Sequence, residues 1–353
     1  MPPASSPPPA AAPSATPTPT PAPAATTLSA SSAAELTNLL QNARGGETIR
    51  LAPGRYDAVS YRGLRFTNPV TITSANATSR AELTGLALTD VKGVKVTNLK
   101  LTDITPTTTN DFMVMGSSDI VFDKVLVSSG QVSSTYENGL MMIRSSTNVT
   151  VTRSQFAQAR YAISLLDNQG VVIRANYFRD LRTDGVRGGH NVNIEIADNL
   201  FTDFLPVNGD HPDAIQFWTT NETVASSNIK VADNVIVRGK GTQMQGIFLR
   251  DETQKLPYRQ VSITGNTVIG SMYHGILISN AVTPTVRNNR VAGMSDMRSW
   301  ISVPSDAVLS SNSAQVFIVG GVTMSALSGN SVISASTDTG TSYAQKWLTA
   351  HPQ

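Results

Sequence analysis

The chain has 353 residues, of which 40% are hydrophobic and 15% are charged, and its formal net charge is +2. A nearly neutral chain has no general attraction for nucleic acid or a membrane surface, and no run of about 18 apolar residues predicts a membrane span. The lack of cysteine excludes disulfides, thiol catalysis and cysteine-based zinc sites.

The first predicted element is a spacer. Residues 1–26 consist almost entirely of Pro, Ala, Ser and Thr, a composition that cannot bury a core and predicts an extended, partly polyproline II segment. No charged and apolar leader precedes it, so any secretion signal is expected to lie outside this sequence. Such spacers often tether exported domains, which favours a secreted, periplasmic or cell-surface location. A disordered end without a role explains the composition equally well.

A helix is predicted over residues 32–43. Three leucines share one helical face, and Ser32 with Glu35 forms a capping box. The Gly-Gly pair, a short strand and a Pro-Gly-Arg-Tyr phrase follow directly. We expect this segment to cap the fold that comes after it.

The rest of the chain repeats itself. A short β-type phrase such as VVIRAN or VSITGN ends in a polar position, and two pairs of copies are 23 residues apart. Self-similarity at such a period, without a helical pattern, predicts a parallel β-helix over residues 27–353 with a short amphipathic lid at 342–349. Stacked amides at this corner are expected to bond to one another. The repeated positions are Asn98, Lys124, Ser154, Asn176, Asn199, Asn234, Asn266, Asn289 and Asn330.

A second strand lies between successive copies of that phrase. It reads NGLMMIR, YAISLLD, DGVRGG, DAIQFW, QGIFLR and HGILIS, with a small residue and then an aliphatic one near its start. Alternation predicts that the fourth residue points outward, and stacking at about 4.8 Å makes these residues neighbours. The outward residues are Met141, Ser164, Arg187, Gln216, Phe248 and Leu277.

Two adjacent coils carry inserted loops on both sides of this second strand. The loops are LPVNGDHP and TTNETVASS in one coil, and GKGTQMQ and DETQKLPYR in the next. Long loops on one face of a repeat array usually build its binding face, so a groove is expected around residues 205–260. The candidate groove residues are Arg182, Asp184, Arg187, Asp210, His211, Asp213, Gln216, Trp218, Lys240, Gln245, Arg250, Asp251, Tyr273 and His274.

The repeat, the cap and the groove position resemble the pectate-lyase-like superfamily of right-handed parallel β-helices, over roughly residues 30–335. This superfamily includes uronate polysaccharide lyases of the chondroitinase B and alginate lyase kind, and alginate C5-epimerases. The resemblance implies an all-β, single-stranded right-handed parallel β-helix with an N-terminal capping helix. Alginate epimerases carry an Asp-Pro-His phrase, which stands here in reverse order at 211–213. The lyases pair a Lys base with an Arg one coil away, places that Lys240 and Arg250 fill.

Elimination from a uronate needs three kinds of group. A cation neutralises the carboxylate beside C5, a base removes the C5 proton, and an acid protonates the leaving oxygen. Guanidinium groups suit the first task and neutral imidazole the second. The candidates are Arg187 and Arg250 for neutralisation, His211 or Lys240 for the base, Tyr273 or His274 for the acid, and Asp213, Gln216, Trp218 and Gln245 for substrate binding. Asp184 and Asp213 are candidate Ca²⁺ ligands.

These groups favour an exported lyase that cleaves a uronic-acid-containing polysaccharide by β-elimination. A C5-epimerase removes the same proton and differs in reprotonating the opposite face. A glycoside hydrolase is a further alternative, because Asp184, Asp210 and Asp213 would supply its carboxylates. A non-enzymatic carbohydrate-binding surface protein is the remaining one. An open solenoid with lids needs no partner, so a monomer is expected.

Overall fold

The computed structural model describes Met1 and residues 26–103, 110–130 and 136–352. These residues form a right-handed parallel β-helix of about 11 turns, which confirms the predicted fold class. Each coil visits three sheets in the same order. The predicted spacer 1–26 lies almost wholly outside the described residues, and so does part of the loop before Asn138.

Three sheets run along the solenoid, and their neighbouring strands are parallel except for one terminal hairpin, Phe317–Val319 with Val322–Met324. The first sheet contains Thr27–Ala30, Thr48–Leu51, Arg65–Ser74, Lys92–Thr97, Ser118–Asp123, Thr147–Thr152, Gln169–Arg174, Val192–Ala197, Ser227–Ala232, Tyr258–Thr264, Ala281–Val282, Thr285–Arg287 and Val308–Ser310. The second contains Arg55–Tyr56, Glu82–Leu83, Lys100–Asp103, Leu126–Ser129, Gln155–Ala159, Tyr177–Leu181, Leu200–Thr202, Val235–Val237, Thr267–Ile269, Arg290–Ala292, Ser313–Ala314 and Ser331–Val332. The third contains Val59–Arg62, Leu86–Thr89, Phe112–Met115, Gly139–Arg144, Tyr161–Leu166, Val186–Gly189, Asp213–Phe217, Gln245–Leu249, Tyr273–Ile278, Ser299–Val303, Phe317–Val319 and Val322–Met324.

The predicted amide ladder lies at the corner between the first and second sheets. Each amide donates to the next one along the axis, as Asn199 does to Asn234 at 2.9 Å and Asn234 does to Asn266 at 2.9 Å. The ladder consists of Asn176, Asn199, Asn234, Asn266, Asn289, Asn312 and Asn330, and Ser154 extends it by donating its backbone N–H to Asn176.

Two of the predicted ladder positions are wrong. Asn98 and Lys124 have φ of 54° and occupy the left-handed residue one place before the ladder, where Asp198 and Asp233 lie in later coils. The ladder place itself is apolar in those two coils, because it holds the buried Leu99 and the buried Val125. Two consecutive residues therefore form each corner, one in the left-handed conformation and the next pointing inward. Only the later coils have an amide at the inward position.

A second polar ladder, which the repeat pattern did not predict, lies at the corner between the third and first sheets. Its members bond in sequence, with the side chain of Asn168 donating to Asn191 at 2.9 Å and the backbone N–H of Asn191 donating to Ser226 at 2.9 Å. These buried residues form hydrogen bonds with backbone groups that would otherwise have no partner inside the turn. The ladder consists of Ser117, Ser146, Asn168, Asn191 and Ser226.

The core fills the space between the three sheets. Phe178 stacks between Phe156 and Phe201, with ring centroids 5.1 and 4.6 Å apart. In the third sheet, the side chain of Met141 is wholly buried and pairs in register with Ile163, so its predicted outward orientation is wrong. Met142 points outward instead, because the strand Gly139–Arg144 aligns with the next strand one residue later than the repeat pattern suggests.

Two helices accompany the sheets in the described part of the chain, and neither is long and apolar enough to cross a membrane. Ala33–Gln41 stands at the start of the solenoid, where Ser32 caps it and Leu36 and Leu40 are buried. Its capping role stays a prediction.

The second helix, Thr341–Ala350, lies along the outer side of the second sheet and not over the end of the solenoid, where a lid was expected. There Trp347 packs against Leu200 and Val237 and donates its indole N–H to the carbonyl of Asp198 at 3.1 Å.

Candidate functional site

The inserted loops flank two strands of the third sheet, Asp213–Phe217 and Gln245–Leu249. The register of this sheet places the predicted outward residues in one column along the axis. In order along the axis, this column contains Ser164, Arg187, Gln216, Phe248 and Leu277. A second column lies three positions earlier in the same coils, and it includes Asp184, Asp213 and Gln245. These two columns together form the candidate site.

A His–Asp pair lies at the centre of the site. The Nδ1 atom of His211 is 2.9 Å from Oδ2 of Asp213, which also accepts from the Gln216 amide at 2.8 Å. The Asp213 side chain is wholly buried, whereas 54% of the His211 side chain is exposed. Pro212 stands between the two residues and fixes the backbone φ there. The exposed imidazole is thus held by a carboxylate that solvent does not reach.

The two members of this pair compete for one proton near neutrality. The hydrogen bond to Asp213 raises the pKa of His211 above its ordinary value, although partial burial opposes this shift. Burial raises the pKa of Asp213 to about 7, and the bond from His211 acts in the opposite direction. The pair therefore takes up a proton as the pH falls, and the imidazole is neutral at pH values above its raised pKa.

The second imidazole nitrogen faces an amide from the next coil. The Gln245 Nε2 atom lies 2.7 Å from Nε2 of His211, so the amide donates to the lone pair of a neutral ring whose Nδ1–H points to Asp213. Oδ1 of Asp213 and Oε1 of Gln245 are buried without a hydrogen-bond partner among the described residues. In this tautomer the basic nitrogen is the one that faces Gln245.

Arg187 lies one coil before the pair. Its Cζ atom is 3.6 Å from the centroid of the Tyr161 ring and 5.8 Å from that of Trp218, a cation–π arrangement between two aromatic faces. Its Nη1 atom is 3.3 Å from Oδ2 of Asp184, a carboxylate that is only 4% exposed. Burial raises the pKa of Asp184 and Arg187 opposes that shift. The Arg187 side chain as a whole is 27% exposed, and its Nε atom is buried without a hydrogen-bond partner among the described residues.

An aromatic row continues the site on the other side of the pair. The Phe248 ring lies edge-on between His211 and His274, at 5.1 and 5.4 Å. Trp300 donates to Nδ1 of His274 at 3.0 Å, which leaves the hydrogen of a neutral ring on Nε2. Burial, assisted by the charges of His211 and Arg250, lowers the pKa of His274 to about 4. His274 is therefore a neutral hydrogen-bond donor at neutral pH.

One predicted residue lies away from the pair. Lys240 lines a cleft beside the second sheet, and its backbone N–H donates to Asp203 at 2.6 Å. Arg250 is exposed just after the strand Gln245–Leu249, in line with Trp218 of the preceding coil, and its charge acts on His274. The structure brings His211, Asp213, Gln216, Gln245, Arg187, Asp184, Trp218, Phe248, Tyr273 and His274 to one face, but it does not bring Lys240 there.

The predicted Ca²⁺ ligands are largely engaged with protein groups. Both oxygens of Asp184 accept hydrogen bonds, from the backbone N–H of Asp213 and from Arg187. In Asp213, Oδ2 accepts from His211 and Gln216, which leaves only Oδ1 without a donor. Calcium prefers six to eight oxygen ligands, so these residues offer a poor fit. The calcium site stays a prediction.

The sequence did not predict two site residues, Tyr161 and Trp300. Tyr161 stands two coils before Asp213 in the same column, and the register of the DGVRGG and YAISLLD strands would have placed it beside Asp184, the partner of Arg187. Trp300 belongs to the strand Ser299–Val303, which carries no Gly or Ala at its second place and so did not match the repeat.

Among the predicted groove residues, Asp210 is engaged in an ion pair. Its carboxylate accepts hydrogen bonds from both Nε and Nη2 of Arg182, at 2.7 and 3.0 Å.

Comparison with known proteins identifies the scaffold. A family model described as "right handed beta helix region" matches residues 84–205 and 138–291, more than half of the chain. No curated protein matches the sequence. Among solved structures, the surface adhesin PfbA of Streptococcus pneumoniae has a TM-score of 0.52 and 11% identity, covering 78% of this chain and 77% of the adhesin.

Two polysaccharide lyases of family 6, one of them an alginate lyase, are also similar. The lyase AlyGC has a TM-score of 0.49 and 13% identity, covering 87% of this chain and 53% of the lyase. A mannuronic-acid-specific lyase from the human gut microbiota has a TM-score of 0.48 and 11% identity, covering 92% of this chain and 95% of the lyase. At such identities a likeness concerns the fold alone, so the reaction must be argued from the side chains of the site.

Proposed function

This chain belongs to the right-handed β-helix family, and we propose that the third sheet of its solenoid is the active face of an enzyme that cleaves uronic-acid-containing polysaccharides by β-elimination. The observation that carries this proposal is the exposed His211 imidazole, held by the buried Asp213 one coil from the guanidinium of Arg187. Export, which the composition of residues 1–26 favours, belongs to the same proposal.

The base of the proposed reaction is Nε2 of His211. In the neutral ring this nitrogen carries the lone pair, because Nδ1–H donates to Asp213. Substrate displaces the Gln245 amide and presents the C5 hydrogen to Nε2, which takes the proton while Asp213 stabilises the imidazolium. The bonding electrons form the C4–C5 double bond as the C4–O bond breaks.

The negative charge that develops on the uronate is met by Arg187. Removal of the C5 proton moves charge onto the adjacent carboxylate, so a fixed cation there stabilises the transition state more than the ground state. Tyr161 and Asp184 hold the guanidinium from below, which limits the rotamer freedom it loses on binding. A guanidinium suits this task because its planar fork matches a carboxylate.

The leaving oxygen must receive a proton. His274 is neutral with its hydrogen on Nε2 and stands beyond Phe248 on the same face. Tyr273 precedes it, with 46% of the residue exposed. Tyr273 suits the acid, whereas the neutral His274 suits a hydrogen bond to the leaving oxygen, because its imidazolium is not populated near neutral pH. The aromatic faces of Trp218 and Trp300 suit the stacking of neighbouring sugars.

Burial or pairing of the candidate carboxylates disfavours hydrolysis. A glycoside hydrolase needs carboxyl groups that reach the glycosidic oxygen or a water at the sugar. Asp184 and Asp213 are almost wholly buried, and Asp210 is bound by Arg182. C5-epimerisation shares the base and the cation with elimination, so it remains the alternative outcome of the same active face.

One experiment separates these reactions. The protein is incubated with polymannuronate, polyguluronate, polygalacturonate and chondroitin, and the ultraviolet absorbance of unsaturated uronate is followed together with reducing ends and the proton NMR spectrum. Elimination produces absorbance and reducing ends in parallel. Reducing ends without absorbance would indicate hydrolysis, an altered spectrum without cleavage would indicate epimerisation, and binding without any change would indicate a carbohydrate-binding protein.

The pH profile of cleavage tests the His211–Asp213 pair. Activity is expected to rise with pH through the neutral range, because the base works only when His211 is unprotonated. Since the bond to Asp213 raises the pKa of His211, an Asp213→Asn change should move this rising limb to lower pH, with a lower plateau. The measurement is kcat/KM against pH for both proteins, and a limb that stays in place or moves to higher pH would contradict the assignment.

Conservative replacement of Arg187 tests the carboxylate contact. Arg187→Lys keeps the charge beside Asp184 but removes the planar fork, so kcat/KM should fall about tenfold, the equivalent of one charge-assisted hydrogen bond of about 1.5 kcal/mol. Arg174→Lys, at an exposed side chain that pairs with Glu195 on the first sheet, is the matched control and should change kcat/KM less than about threefold. Equal losses in both variants would show that Arg187 has no special role.

A further inference from the structure

Three potential metal-binding side chains meet at the corner between the third and first sheets. Asp167 follows the strand Tyr161–Leu166, His190 follows Val186–Gly189, and Glu222 lies in the inserted loop after Asp213–Phe217. One ligand atom from each residue lies within 4.8 Å of the other two. These side chains are partly buried and come from three successive coils, so the solenoid, and not a local motif, brings them together.

The first two ligands are already close to each other. Nδ1 of His190 is 3.0 Å from Oδ1 of Asp167, a hydrogen-bond distance. Two bonds of about 2.1 Å to a tetrahedral zinc ion place their ligand atoms about 3.4 Å apart, so a small separation of this pair would admit the ion. The other oxygen, Oδ2 of Asp167, is 3.3 Å from Nε of Arg144, which orients the carboxylate from outside.

The third ligand is a carboxylate without a hydrogen-bond donor among the described residues. The Glu222 carboxylate lies over Gly189, where a Cβ atom would approach its Oε1 to 2.5 Å, so any larger residue at 189 would push it away. The carboxylates of Asp167 and Glu222 both have an oxygen in the cluster, and a dication would balance their charge.

We propose that Asp167, His190 and Glu222 form a binding site for a divalent transition-metal ion, with Zn²⁺ as the best match. An imidazole with two carboxylates suits Zn²⁺ better than Ca²⁺, which prefers an all-oxygen shell. Three protein ligands leave a fourth position open to water or to an oxygen of a bound carbohydrate. The site is distinct from the His211–Asp213 pair and does not depend on the proposed lyase activity.

Metal binding to the whole protein tests the proposal. Protein freed of metal with a chelator is titrated with Zn²⁺ against a chromogenic competitor, and one equivalent is expected to bind. His190→Ala and Glu222→Gln should each weaken binding by about 100-fold or more, beyond the roughly 10–100-fold that loss of an outer-shell partner costs. His351→Ala, which removes an imidazole beside the second sheet, is the control and should bind as wild type does. A millimolar excess of Ca²⁺ should not displace the Zn²⁺.

Measurements on the wild-type protein alone also test the proposed metal site. Co²⁺ in the Zn²⁺ site should give a visible absorption band that saturates at one equivalent and disappears on addition of Zn²⁺. Absence of saturable Zn²⁺ binding to wild type would overturn the proposal even if the variants failed to fold. Unchanged binding by folded His190→Ala would overturn it equally, and neither result would bear on cleavage of uronates.

Discussion

Replacement of His211 by alanine is expected to lower kcat/KM on the cleaved uronate polymer by about 10²–10⁴-fold, the range that general-base catalysis contributes. The loss should appear mainly in kcat, because the imidazole acts in the transition state and binds the ground state weakly. The rate of appearance of unsaturated product measures it. The thermal midpoint should fall modestly, because the buried Asp213 carboxylate then keeps only the Gln216 amide as a side-chain donor.

Two controls make the His211 result specific. His351→Ala removes an imidazole that contacts Asp198 on another side of the solenoid, and it should cleave as wild type does. Lys240→Ala tests the other base that the sequence offered, and it should also remain active because that lysine lies beside the second sheet. An active His211→Ala together with an inactive Lys240→Ala would reverse the assignment of the base.

The solenoid could be predicted from sequence because each coil must solve the same packing problem. The corner needs a left-handed residue and then an inward one, and repeated Asn at the second place reveals the period. Where Leu99 and Val125 fill that place instead, the nearest polar residues are Asn98 and Lys124, one position too early. The error therefore lies in coils whose corner is apolar, where hydrophobic contact replaces the amide ladder.

The candidate site was predictable in part, because alternation along a strand tells which side chains share a face. It correctly placed Arg187, Gln216 and Phe248 in one column. It could not tell that Asp213 is buried, because burial depends on the inserted loop that carries His211 over it. The position of Lys240 could not be predicted either. The path of an inserted loop depends on tertiary contacts, such as the hydrogen bond from the backbone N–H of Lys240 to Asp203.

The largest expected loss of stability follows from removal of one ladder amide. Asn234 is wholly inside the solenoid and makes four side-chain hydrogen bonds, accepting two from Asn199 and donating to Ile196 and Asn266, all at 2.9–3.0 Å. Asn234→Ala leaves the backbone groups of Asn199 and Ile196 buried without these partners. At about 1–3 kcal/mol for each unsatisfied group, the free energy of unfolding should fall by about 3–5 kcal/mol, measured by urea denaturation.

A matched amide on the surface separates burial from the loss of hydrogen bonds as such. Asn38 accepts from the Asn42 amide at 2.9 Å in the exposed first helix, so Asn38→Ala should change the free energy of unfolding by less than about 0.5 kcal/mol. The contrast arises because water replaces the lost partner at Asn38 but does not reach the interior of the ladder. If both variants lost the same small amount, water would have to enter the solenoid at that corner, and the ladder would position the chain without stabilising it.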